Sequence, residues 1–283
     1  MIKLIECPRD AMQGLPDFIA TETKAAYINQ LLRVGFDTID FGSFVSPKAI
    51  PQMADTAQVL ERLELDHTDT RLLAIVANER GANDASAFEQ IAYLGYPFSV
   101  SETFQLRNTN ATIEESLDRV KNIQDICVKH NKKLVVYISM GFGNPYGDDW
   151  NVEIVEKWTE RLSGLGIGIF SLSDTIGVAT PASIQYLFSN LIPRFPDIEF
   201  GAHLHTEPRK WREKVEAAYS NGCRRFDSAM RGFGGCPMAK DDLTGNMATE
   251  NIIAFLDDAG MDHQLDREAL LRSIEMAGEV FPH

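Results

Sequence analysis

Short apolar runs alternate with amphipathic stretches along almost the whole chain. Runs of four to eight apolar and β-branched residues that are bounded by polar residues are typical of β-strands. Segments in which apolar residues recur every three or four positions separate the runs and predict helices. The predicted strands are Ile2–Glu6, Thr38–Phe41, Arg71–Val76, Phe98–Ser101, Leu134–Ser139, Ile169–Leu172, Ile198–His203 and Arg225–Ser228.

Glycine and capping residues mark the ends of the predicted helices. A glycine just after a helix takes up the left-handed conformation that ends it without strain. Such a glycine, at position 35, 95, 166 or 222, follows the predicted helices Thr23–Val34, Ala85–Leu94, Glu153–Leu165 and Arg209–Asn221. Thr112 with Glu115 forms a capping box before Ile113–Lys129, and Thr180 precedes Pro181 at a first helical position.

Eight strands that alternate with helices over 283 residues predict a (β/α)8 TIM barrel. A doubly wound open sheet is the alternative, and it is less favoured because no Gly-x-Gly-x-x-Gly motif follows the first strand. We find no linker or low-complexity segment, so residues 1–283 are predicted to form a single domain. One more helical pattern, Asp266–Val280, predicts an extra C-terminal helix on the outside of the barrel or at a subunit contact.

Composition narrows the function classes. The formal net charge of −14 argues against nucleic-acid binding, which needs a basic surface. No apolar run is long enough to cross a bilayer, and the first residues lack the pattern of a secretory signal. The four cysteines have no pairing pattern, which favours a reduced, cytoplasmic protein.

Polar side chains follow the predicted strands at the end where a TIM barrel carries its active site. His203 and His205 are two residues apart at a strand end, so their imidazoles are expected to project to the same side. Imidazole is a common metal ligand, although two hydrogen-bonded histidines are the simpler interpretation. Asp10 after the first strand is a candidate anionic ligand, and Arg9 beside it is a candidate for stabilising an oxyanion; a surface ion pair is the alternative.

Three other candidates lie after the second and sixth strands. Asp40 is expected to hydrogen-bond either the arginine or a metal-bound water, and a carboxylate that caps a loop is an equal alternative. Asp174 and Thr175 are placed to orient the metal ligands, with an Asx turn as the competing explanation.

The segment after the eighth strand is rich in glycine and carries a thiol. Gly234 and Gly235 precede Cys236, whose thiol is a candidate proton donor to carbon; a small apolar residue in a turn is the alternative. Asn246 offers a neutral oxygen ligand, although most asparagines in turns bond only their own backbone. Asp10, His203, His205 and Asn246 together give two oxygens and two nitrogens, a set that suits Mg²⁺ or Mn²⁺, with Co²⁺ or Zn²⁺ as alternatives.

Several motifs in one order carry a family resemblance. They are Pro8-Arg9-Asp10-x-x-Gln13, Ser43-Phe44-Val45-Ser46-Pro47-Lys48, Asp174-Thr175-Ile176-Gly177, His203-x-His205, Gly234-Gly235-Cys236-Pro237 and Gly245-Asn246-x-Ala248-Thr249-Glu250. In these motifs the chain resembles the 3-hydroxy-3-methylglutaryl-CoA (HMG-CoA) lyase family, a group of metal-dependent TIM-barrel enzymes related to isopropylmalate and homocitrate synthases. The resemblance spans nearly the whole chain.

The resemblance implies a metal-dependent retro-aldol cleavage of HMG-CoA to acetyl-CoA and acetoacetate. It also implies a small acyl-CoA or hydroxy-acid substrate, and together with the extra C-terminal helix it favours a homodimer. In this interpretation His203 or Asp10 accepts the hydroxyl proton, Arg9 stabilises the enolate and Cys236 returns a proton to carbon. Gln13, Gly234 and Gly235 are then expected to line the substrate site.

The chain departs from the family pattern at two segments that border the predicted site and at Asp40, where the family usually has the longer Glu. Residues 14–17 lack the lysine that the family tends to carry there, and residues 206–211 replace the usual residues after the second histidine. Arg209 and Lys210 are candidates to replace the missing cation. The alternative functions are a related aldolase or Claisen-type enzyme for another hydroxy acid, and a ligand-binding barrel without turnover.

Overall fold

The computed structural model describes residues 2–235 and 244–281. Its strands are β1 (Lys3–Glu6), β2 (Thr38–Ser43), β3 (Arg71–Ile75), β4 (Ile91–Ser99), β5 (Lys133–Ser139), β6 (Ile169–Ser173), β7 (Glu199–His203), β8 (His205–Thr206), β9 (Arg225–Ser228) and β10 (Gly245–Asn246). Its helices are α1 (Pro8–Gln13), α2 (Thr21–Leu32), α3 (Thr56–Leu60), α4 (Glu79–Ser86), α5 (Glu102–Thr109), α6 (Ile113–Lys129), α7 (Val152–Ser163), α8 (Pro181–Arg194), α9 (Trp211–Ser220), α10 (Thr249–Asp258) and α11 (Arg267–Val280).

Eight parallel strands close into a barrel in the order β1-β2-β3-β4-β5-β6-β7-β9. The barrel closes where β1 pairs with β9, with Lys3 opposite Arg225 and Glu6 opposite Ser228. The remaining two strands, β8 and β10, form a separate antiparallel pair. The TIM barrel predicted from the sequence is therefore confirmed.

Apolar side chains pack on both faces of the strands because successive residues of a strand point in opposite directions. A large cluster fills the space between the strands and the helices. A smaller, separate cluster from four neighbouring strands forms the apolar part of the barrel interior; it consists of Leu73, Tyr93, Val135, Tyr137 and Ile169. Among the described residues, no helix has the combination of length and apolar character that crossing a bilayer requires.

The capping signals in the sequence predict local structure well. Thr112 accepts a hydrogen bond from the backbone N–H of Glu115 at 3.1 Å, and the Glu115 carboxylate accepts one from the backbone N–H of Thr112 at 2.8 Å. Gly35, Gly166 and Gly222 have φ values of +88°, +84° and +96° after their helices, as expected for left-handed helix ends. These φ values confirm three of the four helix ends that were predicted from a glycine.

The fourth prediction, that a helix ends at Gly95, is wrong. Residues 91–99 form the strand β4, and the preceding helix is α4, so both the helix Ala85–Leu94 and the strand Phe98–Ser101 were misplaced. A Cβ at Gly95 would lie 2.5 Å from Cδ1 of Ile75 and 3.0 Å from Cε2 of Tyr137. The glycine is therefore needed for close packing inside the barrel, and not for ending a helix.

The C-terminal helix α11 packs on the outside of the barrel. It lies against α2, where the side-chain amide of Gln30 donates a hydrogen bond to the carbonyl of Ala269 at 3.0 Å. Phe281, just after the helix, makes an edge-on contact with Tyr27 at 5.5 Å between ring centroids. This position matches one of the two placements that the sequence predicted.

Candidate metal centre and substrate cavity

Three predicted metal ligands meet at the carboxyl end of the barrel strands. Asp10 lies on α1 directly after β1, His203 is the last residue of β7, and His205 follows in β8. Their ligand atoms all lie within 4.8 Å of one another. Nε2 of His203 is 3.9 Å from Oδ2 of Asp10, and the two imidazole centroids are 5.5 Å apart. One cation can therefore contact all three side chains.

The fourth predicted ligand, Asn246, reaches this group through the short antiparallel pair. Residue 246 of β10 stands directly opposite residue 205 of β8. The Asn246 amide nitrogen donates hydrogen bonds to Oδ2 of Asp10 at 2.8 Å and to the carbonyl of Phe233 at 2.9 Å. The amide oxygen is thus the atom that remains for a cation.

Arg9 is held in place by a dense network of polar contacts. Its Nε donates to both carboxylate oxygens of Asp40, at 3.2 and 3.0 Å, and its Nη2 also contacts this carboxylate. Its Nη1 donates to Asp10 and to Gln13, each at 3.0 Å. Gln13 in turn donates to Asp10 at 2.7 Å. Asp40 therefore contacts the arginine, which was one of its two expected partners.

Charge and burial set the protonation of the ligands. Burial alone would raise the pKa of Asp10, but the neighbouring Arg9 opposes it and the net pKa is lowered. Burial, assisted by the nearby His203, lowers the pKa of His205 to about 4. Asp10 is therefore an anion and His205 a neutral imidazole at pH 7, the forms in which these side chains bind metals.

The donor set fits a divalent cation. Nδ1 of the buried His205 has no hydrogen-bond partner among the described residues. A buried polar atom of this kind needs a partner, which a bound ligand can supply. A carboxylate, two imidazoles and an amide oxygen form a mixed oxygen and nitrogen set. A second group, Cys7 with His203 and Asp227, is also close enough to hold a metal. Burial and the nearby Asp227 raise the pKa of the Cys7 thiol well above its usual value, so a cation would have to displace a tightly held proton there, whereas Asp10 and His205 are already in their binding forms.

Asp227 is a site residue that the sequence analysis missed. It lies on β9 and is buried, and its Oδ2 is 3.3 Å from Nδ1 of His203. The hydroxyl of Ser171 donates to the same oxygen at 2.9 Å. The available signal was a carboxylate inside the short strand Arg225–Ser228, since a buried charge inside a strand needs a partner.

Asp174 and Thr175 have different surroundings. Thr175 lines the cavity described below, and its hydroxyl accepts a hydrogen bond from the backbone N–H of Met140 at 2.8 Å. Asp174 is buried and accepts from the backbone N–H of Ala179 at 3.0 Å. It also pairs at 3.0 Å with Lys214, a buried lysine that the sequence analysis missed.

The glycine segment approaches the metal ligands closely. A Cβ at Gly234 would lie 2.8 Å from the carbonyl oxygen of Asp10 and 2.9 Å from the Asn246 amide nitrogen, and its φ is +85°. Gly235, with φ +140°, lines the cavity. Cys236, the next residue and the candidate proton donor, lies outside the described residues.

A cavity of about 590 Å³ opens at these side chains. Arg9, Asp10, His203 and His205 form one part of its wall, and Gln13, Thr175 and Gly235 lie beside them. Its volume falls within the range of small-molecule sites. Arg209 and Lys210, the two candidates for the missing cation, do not line it, and Lys210 pairs with Glu207 at 2.7 Å.

Fold and site together define a TIM-barrel protein with a candidate metal centre at the carboxyl end of its strands. The chain belongs to the HMGL-like family, whose model matches residues 2–276. It is 34% identical over 275 residues to the hydroxymethylglutaryl-CoA lyase YngG of Bacillus subtilis, covering 96% of this chain and 90% of that one.

Two other similar proteins carry further information. The 3-hydroxy-3-isohexenylglutaryl-CoA/hydroxy-methylglutaryl-CoA lyase of Pseudomonas aeruginosa is 31% identical over 273 residues, covering 95% of this chain and 89% of that one. A structure of an HMG-CoA lyase from Acinetobacter baumannii in complex with coenzyme A and 3-methylmalate superposes with a TM-score of 0.92 at 30% identity. That match covers 100% of this chain and 92% of the other.

Proposed function

We propose that the protein is a divalent-metal-dependent carbon–carbon lyase that cleaves HMG-CoA, or a close analogue, to acetyl-CoA and acetoacetate. The observation that carries the proposal is the group formed by Asp10, His203 and His205 beside the buried Arg9 at one end of a substrate-sized cavity. Membership of the HMGL-like family supports the reaction class. The relatives named above differ in acyl group and share CoA, which supports a CoA thioester.

Asp10, His203, His205 and the oxygen of Asn246 would hold the metal ion. We propose Mg²⁺ or Mn²⁺, with Co²⁺ or Zn²⁺ as alternatives, because the set has no thiolate and includes two oxygens. A divalent cation bound there supplies charge that lowers the pKa of a hydroxyl group on the substrate.

The hydroxyl proton has two candidate acceptors, His203 and Asp10. Nδ1 of His203 faces Asp227, so only Nε2 is open. A nitrogen that binds a cation has no lone pair left for a proton, whereas a carboxylate has about four lone-pair sites. Asp10 is therefore the better acceptor when both side chains bind the metal, and His203 is the acceptor only if its Nε2 is free.

The remaining steps fall to Arg9 and Cys236. When the bond between the substrate's α- and β-carbons breaks, its electron pair forms the enolate of the thioester. Arg9 would hold the enolate oxygen, and Asp40 fixes the arginine through hydrogen bonds at 3.0 and 3.2 Å. Burial raises the pKa of Asp40 to about 6, so at pH 7 it still pairs with Arg9 as an anion. Cys236, bonded to the cavity-lining Gly235, would then donate the proton that completes acetyl-CoA.

A metal-dependent product assay tests the proposal. The purified protein is dialysed against a chelator and incubated with HMG-CoA, with and without Mn²⁺ or Mg²⁺, and both products are quantified. We expect acetyl-CoA and acetoacetate in equal amounts, and only with metal. Cleavage of a free hydroxy acid but of no thioester would favour the related aldolase. Absence of turnover with any thioester or hydroxy acid, whichever metal is added, would favour a binding barrel.

We also propose a cellular location, a domain organisation and an oligomeric state. Cys7, Cys127 and Cys223 are free, buried thiols, which supports a cytoplasmic location. The closed barrel supports one domain over residues 1–283. A homodimer is proposed from the family resemblance and from the extra C-terminal helix, and sedimentation equilibrium would test it.

A further inference from the structure

The cavity extends from the metal ligands across the mouth of the barrel. In the closed strand order β4 lies four strands from β9 in either direction, so the two strands are on opposite sides of the barrel. The metal ligands Asp10 and His203 belong to the β9 side, because they lie after β1 and at the end of β7, the two strands that flank β9. The helices that follow β4, α5 and α6, contribute Arg107 and Arg119 to the cavity wall. The cavity therefore has the metal ligands in one part and two guanidinium groups in another.

Neither guanidinium group forms an ion pair with a carboxylate in residues 2–235 or 244–281. Arg107 lies over the ring of Tyr146, with Cζ 4.7 Å from the centroid. Arg119 donates one hydrogen bond, from Nη1 to the carbonyl of Thr109 at 3.0 Å. The hydrogen bonds of its own helix cap lower the pKa of Glu115, and the nearby Arg119 contributes to this shift. In a chain of net charge −14, two arginines on one cavity wall that form no close ion pair in the described residues create a local positive potential.

Two amide side chains stand beside these arginines. Asn108 and Asn110 line the same cavity, and in the described part of the chain neither side chain forms a hydrogen bond. Asn110 ends α5 in the left-handed conformation, with φ +51°. This wall therefore offers hydrogen-bond donors from amides as well as from guanidinium groups.

The acyl group alone does not fill the cavity. An acyl group of about ten heavy atoms occupies on the order of 300 Å³ at most, if each atom takes the ~30 Å³ of a water molecule. The cavity measures about 590 Å³. Room is thus left for a longer substrate that reaches the two arginines.

We propose that Arg107 and Arg119 bind the phosphate groups of an acyl-CoA thioester while its acyl group lies at Asp10, His203 and His205. The inference rests on the proposed function in taking a thioester as the substrate. A guanidinium group pairs with phosphate through two parallel hydrogen bonds and keeps its charge at any relevant pH. A carboxylate at the end of a longer acyl chain offers similar oxygen anions, and the experiment separates these two sources.

The test compares three thioesters of one acyl group, whose carriers are CoA, dephospho-CoA and uncharged pantetheine. The wild type is expected to favour CoA over pantetheine in kcat/KM by about tenfold to a hundredfold, as charged hydrogen bonds allow. R107A/R119A should lose most of that preference and keep its rate on the pantetheine thioester. R107K should keep part of it, because lysine retains the charge and loses the two-pronged geometry. The step from CoA to dephospho-CoA shows which phosphate is held.

The control variant is R80A, which removes an exposed arginine on α4 that does not line the cavity. It changes the net charge by the same amount per site and should leave the preference intact. If both arginines serve only to stabilise the end of α5, R107A/R119A will lower the melting temperature and leave the preference unchanged, which would overturn the proposal. The proposal would also be overturned if R107A/R119A kept the preference for CoA and lost only the ability to distinguish acyl groups with a terminal carboxylate from those without one. The arginines would then bind the acyl carboxylate and not the phosphates.

Calorimetry separates this inference from the proposed function. Wild-type protein is titrated with CoA and with pantetheine, which needs no turnover. Tighter binding of CoA that R107A/R119A abolishes supports the phosphate site even if no thioester is cleaved. Equal binding of the two carriers by the wild type would overturn the phosphate site even if HMG-CoA is cleaved.

Discussion

The carboxylate of Asp227 lies 3.3 Å from Nδ1 of His203, on the side of the imidazole opposite the nitrogen that faces Asp10. A carboxylate in this position keeps the proton on Nδ1 and leaves Nε2 free to bind a metal. Burial alone would lower the pKa of His203, but the contact with Asp227 outweighs burial and the net pKa is raised. Asp227 is thus a positioning residue for a metal ligand.

Replacing Asp227 tests this role. Asp227→Asn keeps the size of the side chain and removes the negative charge that fixes the tautomer of His203. We expect Mn²⁺ affinity and kcat/KM to fall by about 10- to 100-fold, the usual effect of losing such a partner. Metal affinity is measured by calorimetric titration of the chelator-treated protein.

The matched control is Ser171→Ala, which removes the other hydrogen bond to Oδ2 of Asp227 and leaves its charge in place. A smaller loss is expected there. Equal Mn²⁺ affinity in the wild type and in Asp227→Asn would show that the carboxylate has no part in orienting the histidine.

Cys236 is expected to matter for turnover and not for metal binding. In Cys236→Ala the proton donor is removed while the four metal ligands remain. The loss in kcat should be about 10²- to 10⁴-fold, the range for general acid catalysis. Stopped assays for acetyl-CoA give kcat, and a Mn²⁺ titration gives the unchanged affinity.

The control thiol is Cys127, a buried residue of α6. Cys127→Ala should retain turnover at temperatures well below its melting point. Full activity of Cys236→Ala would remove this cysteine from the mechanism.

The sequence predicts those features that depend on neighbours along the chain. The spacing of His203 and His205 places both rings on one side, and helix caps follow from local hydrogen bonds. Asn246 was also identified, but its position opposite His205 depends on a two-residue antiparallel pair that has no periodicity to detect. Gly95 shows the limit most clearly, because only the packing against Ile75 and Tyr137 distinguishes a barrel glycine from a helix end.

Buried charges escaped prediction for a related reason. Lys214 looks like an ordinary surface residue in the sequence. Asp227 stands inside a predicted strand, which is a signal for burial, but only the fold supplies the partners that make the burial of both residues tolerable. Arg107 and Arg119 likewise become meaningful only when two helices place them on one cavity wall.

The pair formed by Lys214 and Asp174 is expected to stabilise the backbone on both sides of Leu204. Nζ of Lys214 donates to Asp174 at 3.0 Å and to the carbonyl of His205 at 2.7 Å, and the backbone N–H of Asp174 donates to the carbonyl of His203 at 2.9 Å. Lys214→Met removes one partner of a buried ion pair. The free energy of unfolding should fall by about 3–5 kcal/mol, as measured by urea titration.

The double variant Lys214→Met/Asp174→Asn provides the control. It removes both charges, so no uncompensated carboxylate stays buried and part of the lost stability should return. A double variant that is less stable than Lys214→Met would contradict a role for the ion pair and indicate that the contacts of Asp174 with the backbone dominate.

Glu6 is expected to make stability depend on pH. It is completely buried on β1, where it accepts hydrogen bonds from the backbone N–H of Met230 at 2.8 Å and from the hydroxyl of Thr249 at 2.5 Å. Burial raises the pKa of Glu6 from 4.5 to about 8. Between these values the folded state keeps a proton that the unfolded state releases, so the contribution to stability is full below pH 4.5 and falls as the pH rises towards 8.

Glu6→Gln removes this titration while keeping a side chain of the same size. Its free energy of unfolding should therefore rise relative to that of the wild type between pH 5 and pH 8, by at most about 1.4 kcal/mol per pH unit. Urea unfolding of both proteins at several pH values measures the difference between their free energies of unfolding. The titration of every other group is common to both proteins and cancels in this difference. Gln58→Asn, at an exposed position that carries no titratable group, should show a difference that does not vary with pH. A constant difference for Glu6→Gln as well would mean that Glu6 does not hold its proton in the folded protein at neutral pH.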